Sequence, residues 1–237
     1  MNLSLETKAK YACLYAGAVW GLFWIPLREL EDAGFQGLWI TVVYFLIPAL
    51  CLFPVTIWRW KYVKRGGFQL QLTAIISGGA LFLYSTSIVY TEVVRAILLF
   101  YLTPVWGLIL GRIFLGDKIS TPRFIAMILA IIGMLTIFGL GAKFPLPQNL
   151  GDWLGLCSGF MWAIAMVLIN KNKNHSTIEL TLGFFQWSLI LSLFAAVLIS
   201  PDSLPSFDKI VPVIPLMLIF MVLLILPGTY ASLWGPK

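Results

Sequence analysis

The sequence predicts an all-α fold, a polytopic integral membrane protein, and three observations carry that reading. Of the 237 residues, 60% are hydrophobic and only 11% charged, and the mean hydropathy is +0.93. Ordinary soluble domains carry about 25% charged residues. A chain of this size cannot hide so much apolar surface from water, so its solvent is a bilayer. Second, eight apolar stretches each approach the ~20 residues that a spanning helix needs. They run roughly over 11–28, 36–58, 70–90, 94–116, 121–141, 151–170, 178–200 and 211–233. Third, basic residues alternate between the flanks of these stretches.

The first stretch follows Lys8 and Lys10. No small-residue cleavage site ends it and seven more stretches follow, so it reads as an uncleaved first helix rather than a signal peptide. Trp39 and Trp58 bracket the second, as in an interfacial aromatic belt. The third and fourth are joined by TEVVR, Thr91 to Arg95, so they must be adjacent and antiparallel. The fifth follows GDKISTP, Gly116 to Pro122; Ser120 or Thr121 can cap it, with Pro122 in its first turn. Pro145 and Pro147 mark an extramembrane break before the sixth. The NKNKNH run, Asn170 to His175, separates the sixth from the seventh, and the eighth ends in LWGPK. His175, the only histidine, reads as a surface loop residue.

Eight spanning helices create nine flanks. One alternating set holds 12 of the 16 basic residues: Lys8, Lys10, Arg59, Lys61, Lys64, Arg65, Arg112, Lys118, Arg123, Lys171, Lys173 and Lys237. The other holds Arg28, Arg95, Lys143 and Lys209. The positive-inside rule assigns the richer set, and with it both termini, to the cytoplasm. Seven of the ten acids then fall outside. The net charge of +6 is therefore a matter of membrane topology and calls for no nucleic acid. Cys13, Cys51 and Cys157 have neither metal-ligand spacing nor the look of a disulfide framework. They are expected to be small buried residues in their helices, with no metal and no cofactor.

Within the fourth stretch, FYLTPVWGLILGRIFLGDK (residues 100–118), Pro104 has no amide hydrogen and its ring blocks the carbonyl of Phe100. That carbonyl needs a partner from elsewhere. Tyr101 lies on nearly the same face. A kink with a phenol beside it suits a helix that lines a cavity. Gly107 and Gly111 form a G-x-x-x-G that lets another helix approach, and Arg112 can snorkel to headgroups.

Two short matches suggest an internal repeat. GAVW at 17–20 pairs with GFMW at 159–162, and YSTS at 84–87 pairs with YASLWG at 230–235, at offsets of 142 and 146. The implied unit has five helices, residues 1–143, with 144–237 a partial second copy. Because five is odd, the second copy enters the membrane from the opposite side, which makes an inverted repeat. The counterpart of the fourth stretch would begin just past residue 237. The second copy then lacks two helices, about 50 residues, and the sequence reads as truncated after its eighth helix.

The most specific pattern is FYLTPVW, eight residues, LGDK, and then PRFIAMILAIIGML. It resembles the fourth and fifth helices of an EamA-type repeat of the drug/metabolite transporter superfamily. Thr103 stands where glutamate often precedes the proline in that family. WGLFW at 20–24 resembles the family's first helix. GFMWA at 159–163 with INK at 169–171 resembles the sixth, and TYASLW at 229–234 the eighth. The resemblance implies ten helices in two inverted repeats around a central cavity. That cavity is lined by helices one, three, four, six, eight and nine. The first helix lacks the glutamate that small multidrug-resistance relatives use for proton coupling, so proton antiport is unsupported.

Candidate substrate-binding residues are Trp20, Trp24, Tyr84, Tyr101, Pro104, Trp162 and Tyr230. The aromatic ones offer an apolar face with a polar tip, which suits small amphipathic metabolites. The competing reading is the interfacial belt, which Trp39, Trp58, Trp60 and Trp153 fit by position. Ser85, Ser87 and Thr103 can donate hydrogen bonds, or simply pack. Glu92 with Arg95 can gate the outer mouth or form a solvated turn pair. No ionisable residue falls clearly at a midplane.

The expected function is secondary transport of small organic metabolites, amino acids or drug-like amines among them. Export by alternating access through a cell inner (plasma) membrane is expected. Partners are the lipid bilayer and a small-molecule substrate. The alternative is a non-transporting membrane scaffold, or an inactive fragment without its last two helices. An enzyme is not expected: the chain has no buried histidine, no paired acids at depth, no G-x-G-D and no phosphate-cradling glycine loop.

Overall fold

A computed structural model describes residues 5–117, 120–139 and 147–234. The expected break at Pro145, the 143/144 repeat boundary, Lys118, Lys143 and the 235–237 end lie outside these residues. The side chains of Lys8 and Arg123 also lie outside the description. Among the described residues the fold is all-helical. The helices are α1 (Leu5–Gly21), α2 (Trp24–Asp32), α3 (Trp39–Trp58), α4 (Trp60–Tyr90), α5 (Val93–Phe100), α6 (Thr103–Phe114) and α7 (Thr121–Gly139). They continue with α8 (Leu150–Lys171), α9 (Thr177–Ile199), α10 (Phe207–Leu218) and α11 (Leu226–Trp234). A π-helical stretch, Ile219–Ile225, joins the last two.

Among the described residues, six helical stretches are long and apolar enough to cross a membrane: Trp39–Trp58, Trp60–Tyr90, Val93–Phe114, Leu150–Lys171, Thr177–Ile199 and Asp208–Trp234. The chain is a multi-pass membrane protein. The expected first span is not one continuous helix. It is interrupted at Leu22–Phe23, where the Leu22 and Phe23 amides bond back to Val19 and Trp20. The physical reason is Pro26, whose ring excludes a helical bond to the Leu22 carbonyl one turn earlier. In α7, the described apolar run is Phe124–Gly133.

Pro104 acts the same way in the fourth stretch, which divides into α5 and α6 at Tyr101–Leu102. The Thr103 hydroxyl donates to the Phe100 carbonyl at 2.5 Å, so the group freed by the proline finds its partner three residues on, beside the proline itself. The eighth stretch absorbs Pro227 differently. Its π-helical turn lies just before that residue, and wider turns of this kind relieve local conflicts inside helices.

The helices alternate between two ends of the bundle, called here the Trp58 end and the Tyr90 end. Helix α8 packs on α4, α5 and α6, and α9 packs on α3 and α4. Helix α1 packs on α11. The main core lies toward the Tyr90 end, around Phe23, Leu27, Leu30, Tyr44, Phe45 and Ile88, with Phe184 and Phe185 from α9. Outward faces such as Leu193, Phe194, Val197 and Leu198 are exposed and apolar, as lipid contact requires.

Close helix approach uses different glycines from the pair expected. Nothing lies within 4 Å of a Cβ added at Gly107, and one at Gly111 meets only the Asp117 side chain. The close contacts lie on α8, at a spacing of four. A Cβ would lie 2.7 Å from the Tyr90 carbonyl carbon at Gly151, 2.8 Å from Ser87 Oγ at Gly155 and 2.8 Å from Phe100 O at Gly159. Gly78 approaches the α9 backbone in the same manner, with Phe184 O at 2.9 Å. Backbones come this near only without side chains between them.

Candidate functional site

A cavity of ≈ 290 Å³ lies between α1, α4, the α5–α6 break, α8, α9 and α11. Helix α1 presents Cys13, Ala16, Gly17 and Trp20 to it, and α4 presents Ala80, Leu81 and Tyr84. The break contributes Phe100 and Tyr101, and the other three helices contribute Trp162, Phe184 and Ser232. Six of these side chains are aromatic. No charged side chain is among the described residues that line it. Small residues on α1 and α4 make the volume, and the rings shape it.

Local structure fixes those rings. Tyr84 tilts against Phe23 and Phe100, with centroids 5.3 and 4.7 Å away. Trp20 stacks on Phe23 at 5.1 Å. Trp162 meets Phe184 edge-on at 5.8 Å. Such offset and T-shaped pairs are the favoured aromatic geometries. Tyr101 is carried outward by the α5–α6 break and is 58% exposed.

Polar contacts tie the helices together at the Tyr90 end, beyond this aromatic layer. Arg28 donates to the carbonyls of Ile88 at 3.0 Å and Thr91 at 3.2 Å. Arg95 pairs with Asp152 at 2.5 Å. The Asp152 side chain is fully buried, and it also accepts from the Thr91 hydroxyl at 2.7 Å and the Gln148 amide at 2.9 Å. At the same end the Trp39 indole donates to the Ser200 carbonyl at 2.8 Å. At the Trp58 end, Arg59 pairs with Glu179 at 2.5 Å. Helices α3 and α9 are thus fastened at both ends.

Of the seven candidate residues, the structure brings Trp20, Tyr84, Tyr101 and Trp162 together on the cavity. Trp24 opens α2 away from it. Pro104 borders a neighbouring groove with Leu98, Val105 and Met127, which Tyr101 also lines. Tyr230 borders another with Leu52, Val55 and Pro227. Ser85 bonds to the Leu81 carbonyl one turn back in α4, Thr103 bonds to the Phe100 carbonyl across the α5–α6 break, and Ser87 bonds to the carbonyl of Gly151.

Two further expectations need correction. Arg95, expected to act with Glu92 alone, makes an ion pair with the buried Asp152 of α8. The three cysteines, expected to be buried, are all exposed. They lie on outward helix faces or, for Cys13, on the cavity wall. Sequence reasoning missed Phe100, Phe184 and Ser232, which the structure places on the cavity. Ser232 lies within the TYASLW match, which offered a signal. Phe184 lies in an apolar run that offered none.

Comparison with known proteins places this architecture. Residues 8–139, more than half of the chain, match the model of the EamA-like transporter family. Protein RarD of Escherichia coli (strain K12) is 24% identical over 136 residues, 52% of this chain and 43% of that protein. Protein RarD of Salmonella typhi is 31% identical over 83 residues, 32% of this chain and 28% of that protein. An uncharacterized transporter of Helicobacter pylori (strain ATCC 700392 / 26695) is 21% identical over 150 residues, 62% of this chain and 47% of that protein. The matches thus span less than half the length of these curated relatives. A solved crystal structure superposes with a TM-score of 0.66 at 17% identity, covering 94% of this chain and 79% of the other, a likeness of fold alone. The chain belongs to the EamA-like transporter family, within the drug/metabolite transporter superfamily.

Proposed function

We propose that this chain forms the substrate-binding body of a secondary transporter for small organic metabolites, working by alternating access and directed toward export. The observation that carries this reading is the aromatic cavity of ≈ 290 Å³, walled by helices from both parts of the chain. Its size and apolar lining suit a small solute. Trp20, Tyr84, Tyr101 and Trp162 bind that solute. Trp24, Pro104 and Tyr230, which border other surfaces, act through helix geometry.

The wall also favours one of the two expected substrate classes. A free amino acid brings a carboxylate, and the described lining offers it no cation. A drug-like amine brings a positive charge that aromatic faces attract. Amines and uncharged aromatic solutes are therefore favoured over zwitterions.

The pairing of helices supports two inverted units. Exchanging the first stretch with α8, α3 with α9 and α4 with the eighth stretch turns the α4–α8 contact into the α1–α11 contact. The same exchange maps the α3–α9 contact onto itself. Basic residues concentrate at the Trp58 end, which is cytoplasmic in this reading, as are both termini. The tied Tyr90 end is then the outer one, and the state is closed to the outside. The membrane is the cell inner membrane.

The test is uptake into proteoliposomes of a labelled aromatic amine by the parent protein and by Trp162→Ala. Transport by the parent and its loss in a variant that still inserts supports the carrier. A parent that inserts normally and moves none of a broad panel of amines and aromatic solutes favours the scaffold reading.

A further inference from the structure

We propose that the short helical segment at 60–66, ahead of the bend in α4, is a binding site for anionic phospholipid headgroups. The argument starts from length. A straight α4 of 31 residues would run about 46 Å at the usual helical rise, beyond the ~30 Å hydrocarbon core. The helix does not run straight. Gly67 has φ 58° and ψ −154°, a conformation that glycine reaches without the penalty of a side chain. The 23 residues beyond it suffice to cross the core, at about 35 Å. Their inward face is buried from Leu70 onward. The seven residues before it are left over, outside the hydrocarbon.

Those residues are patterned for an interface. Lys61, Lys64 and Arg65 stand at i, i+3 and i+4, so they share one face. All three are exposed. Trp60 and Tyr62 flank that face, and Phe68 follows the bend; these rings are 59%, 53% and 78% exposed. Val63 and Gly66, on the other side, are half-buried. No acidic residue occurs between 60 and 69. Glu179 is taken by Arg59, whose guanidinium also lies 4.6 Å over the Tyr62 ring. None of Lys61, Lys64 and Arg65 is paired with a carboxylate among the described residues.

A basic face between interfacial aromatic rings, next to a spanning helix, is complementary to phosphate-bearing headgroups at the depth where such rings settle. The occupant is the anionic lipid of the surrounding leaflet, and the site is independent of any transported solute. Because α4 walls the cavity further along, the site also anchors the helix that carries Ala80 and Tyr84.

The experiment uses the full chain in detergent, with phosphatidylglycerol or phosphatidylcholine of the same acyl chains added back. Melting temperature and retained lipid by native mass spectrometry are the readouts. Phosphatidylglycerol should raise the melting temperature and stay bound. The Lys61→Gln, Lys64→Gln, Arg65→Gln triple variant should need at least about tenfold more of it, given the attraction each basic residue contributes near an anionic surface. Lys173→Gln should behave as the parent. A second measurement needs no variant: about 1 M salt, where screening is nearly complete, should remove the phosphatidylglycerol effect in the parent. Equal effects of the two lipids, an unchanged triple variant, or a salt-resistant effect would each overturn the proposal. So would inorganic phosphate reproducing the shift, which would make the site one for soluble anions.

Discussion

The Thr103 hydroxyl donates to the carbonyl of Phe100, the group that Pro104 leaves without a helical donor. One residue creates the break in the fourth stretch, and its neighbour satisfies the backbone there. The pair sets where Phe100 and Tyr101 enter the cavity. Thr103→Val should therefore destabilise the protein by about 1–3 kcal/mol, the cost of a buried unpaired acceptor. In a Pro104→Ala background, where residue 104 regains its amide donor, the same change should cost less. Thermal unfolding of the four proteins in one detergent measures the coupling.

The α8 glycines make a sharper contrast. Gly159→Ala places a methyl 2.8 Å from Phe100 O and 2.9 Å from Thr103 Oγ1, and overpacking of this kind costs about 1–3 kcal/mol. Gly107→Ala meets open space and should be neutral or stabilising by up to about 1 kcal/mol, because alanine favours the helix. The two variants should therefore shift the melting temperature in opposite directions, or Gly107→Ala should leave it unmoved.

Asp152 is the buried half of its pair with Arg95. Asp152→Ala removes the acceptor for Arg95, Thr91 and the Gln148 amide together. Breaking a buried pair in this way costs about 3–5 kcal/mol. Glu31→Gln removes the exposed partner of Arg28 and should change stability by about 0–1 kcal/mol. Chemical or thermal unfolding of the two variants separates a latch between helices from a surface ion pair.

The fold class was legible because hydropathy and charge act along the whole chain and do not depend on which helix meets which. The break at Pro104 was legible too, since the proline's effect is local. Pro26 was equally local and was overlooked inside a continuous apolar run. Beyond the third and fourth stretches, which a short turn joins, helix pairing was not legible. G-x-x-x-G at Gly107 looks the same in sequence as the spacing at Gly151, Gly155 and Gly159, and only packing decides which of them meets a backbone. Trp20, Tyr84 and Trp162, aromatic residues in short repeated motifs, line the cavity, whereas Tyr230 in the same kind of motif borders another groove, so the motif alone did not decide the lining. Phe184 escaped because a phenylalanine in a lipid-facing run and one in a cavity wall have the same neighbours in sequence. Asp152 escaped because loop acids and buried acids differ only in what lies opposite, which here is Arg95 from another helix.

The central claim is that the aromatic cavity binds the transported solute, and Cys13 on its wall gives the most direct test. In a Cys51→Ser, Cys157→Ser background, Cys13 is the remaining thiol, and its rate of maleimide labelling can be followed in membranes. An aromatic amine should slow the labelling, an aromatic carboxylate should not, and Trp162→Ala should abolish the protection. A labelling rate unmoved by every amine, or protection that survives Trp162→Ala unchanged, would contradict the account.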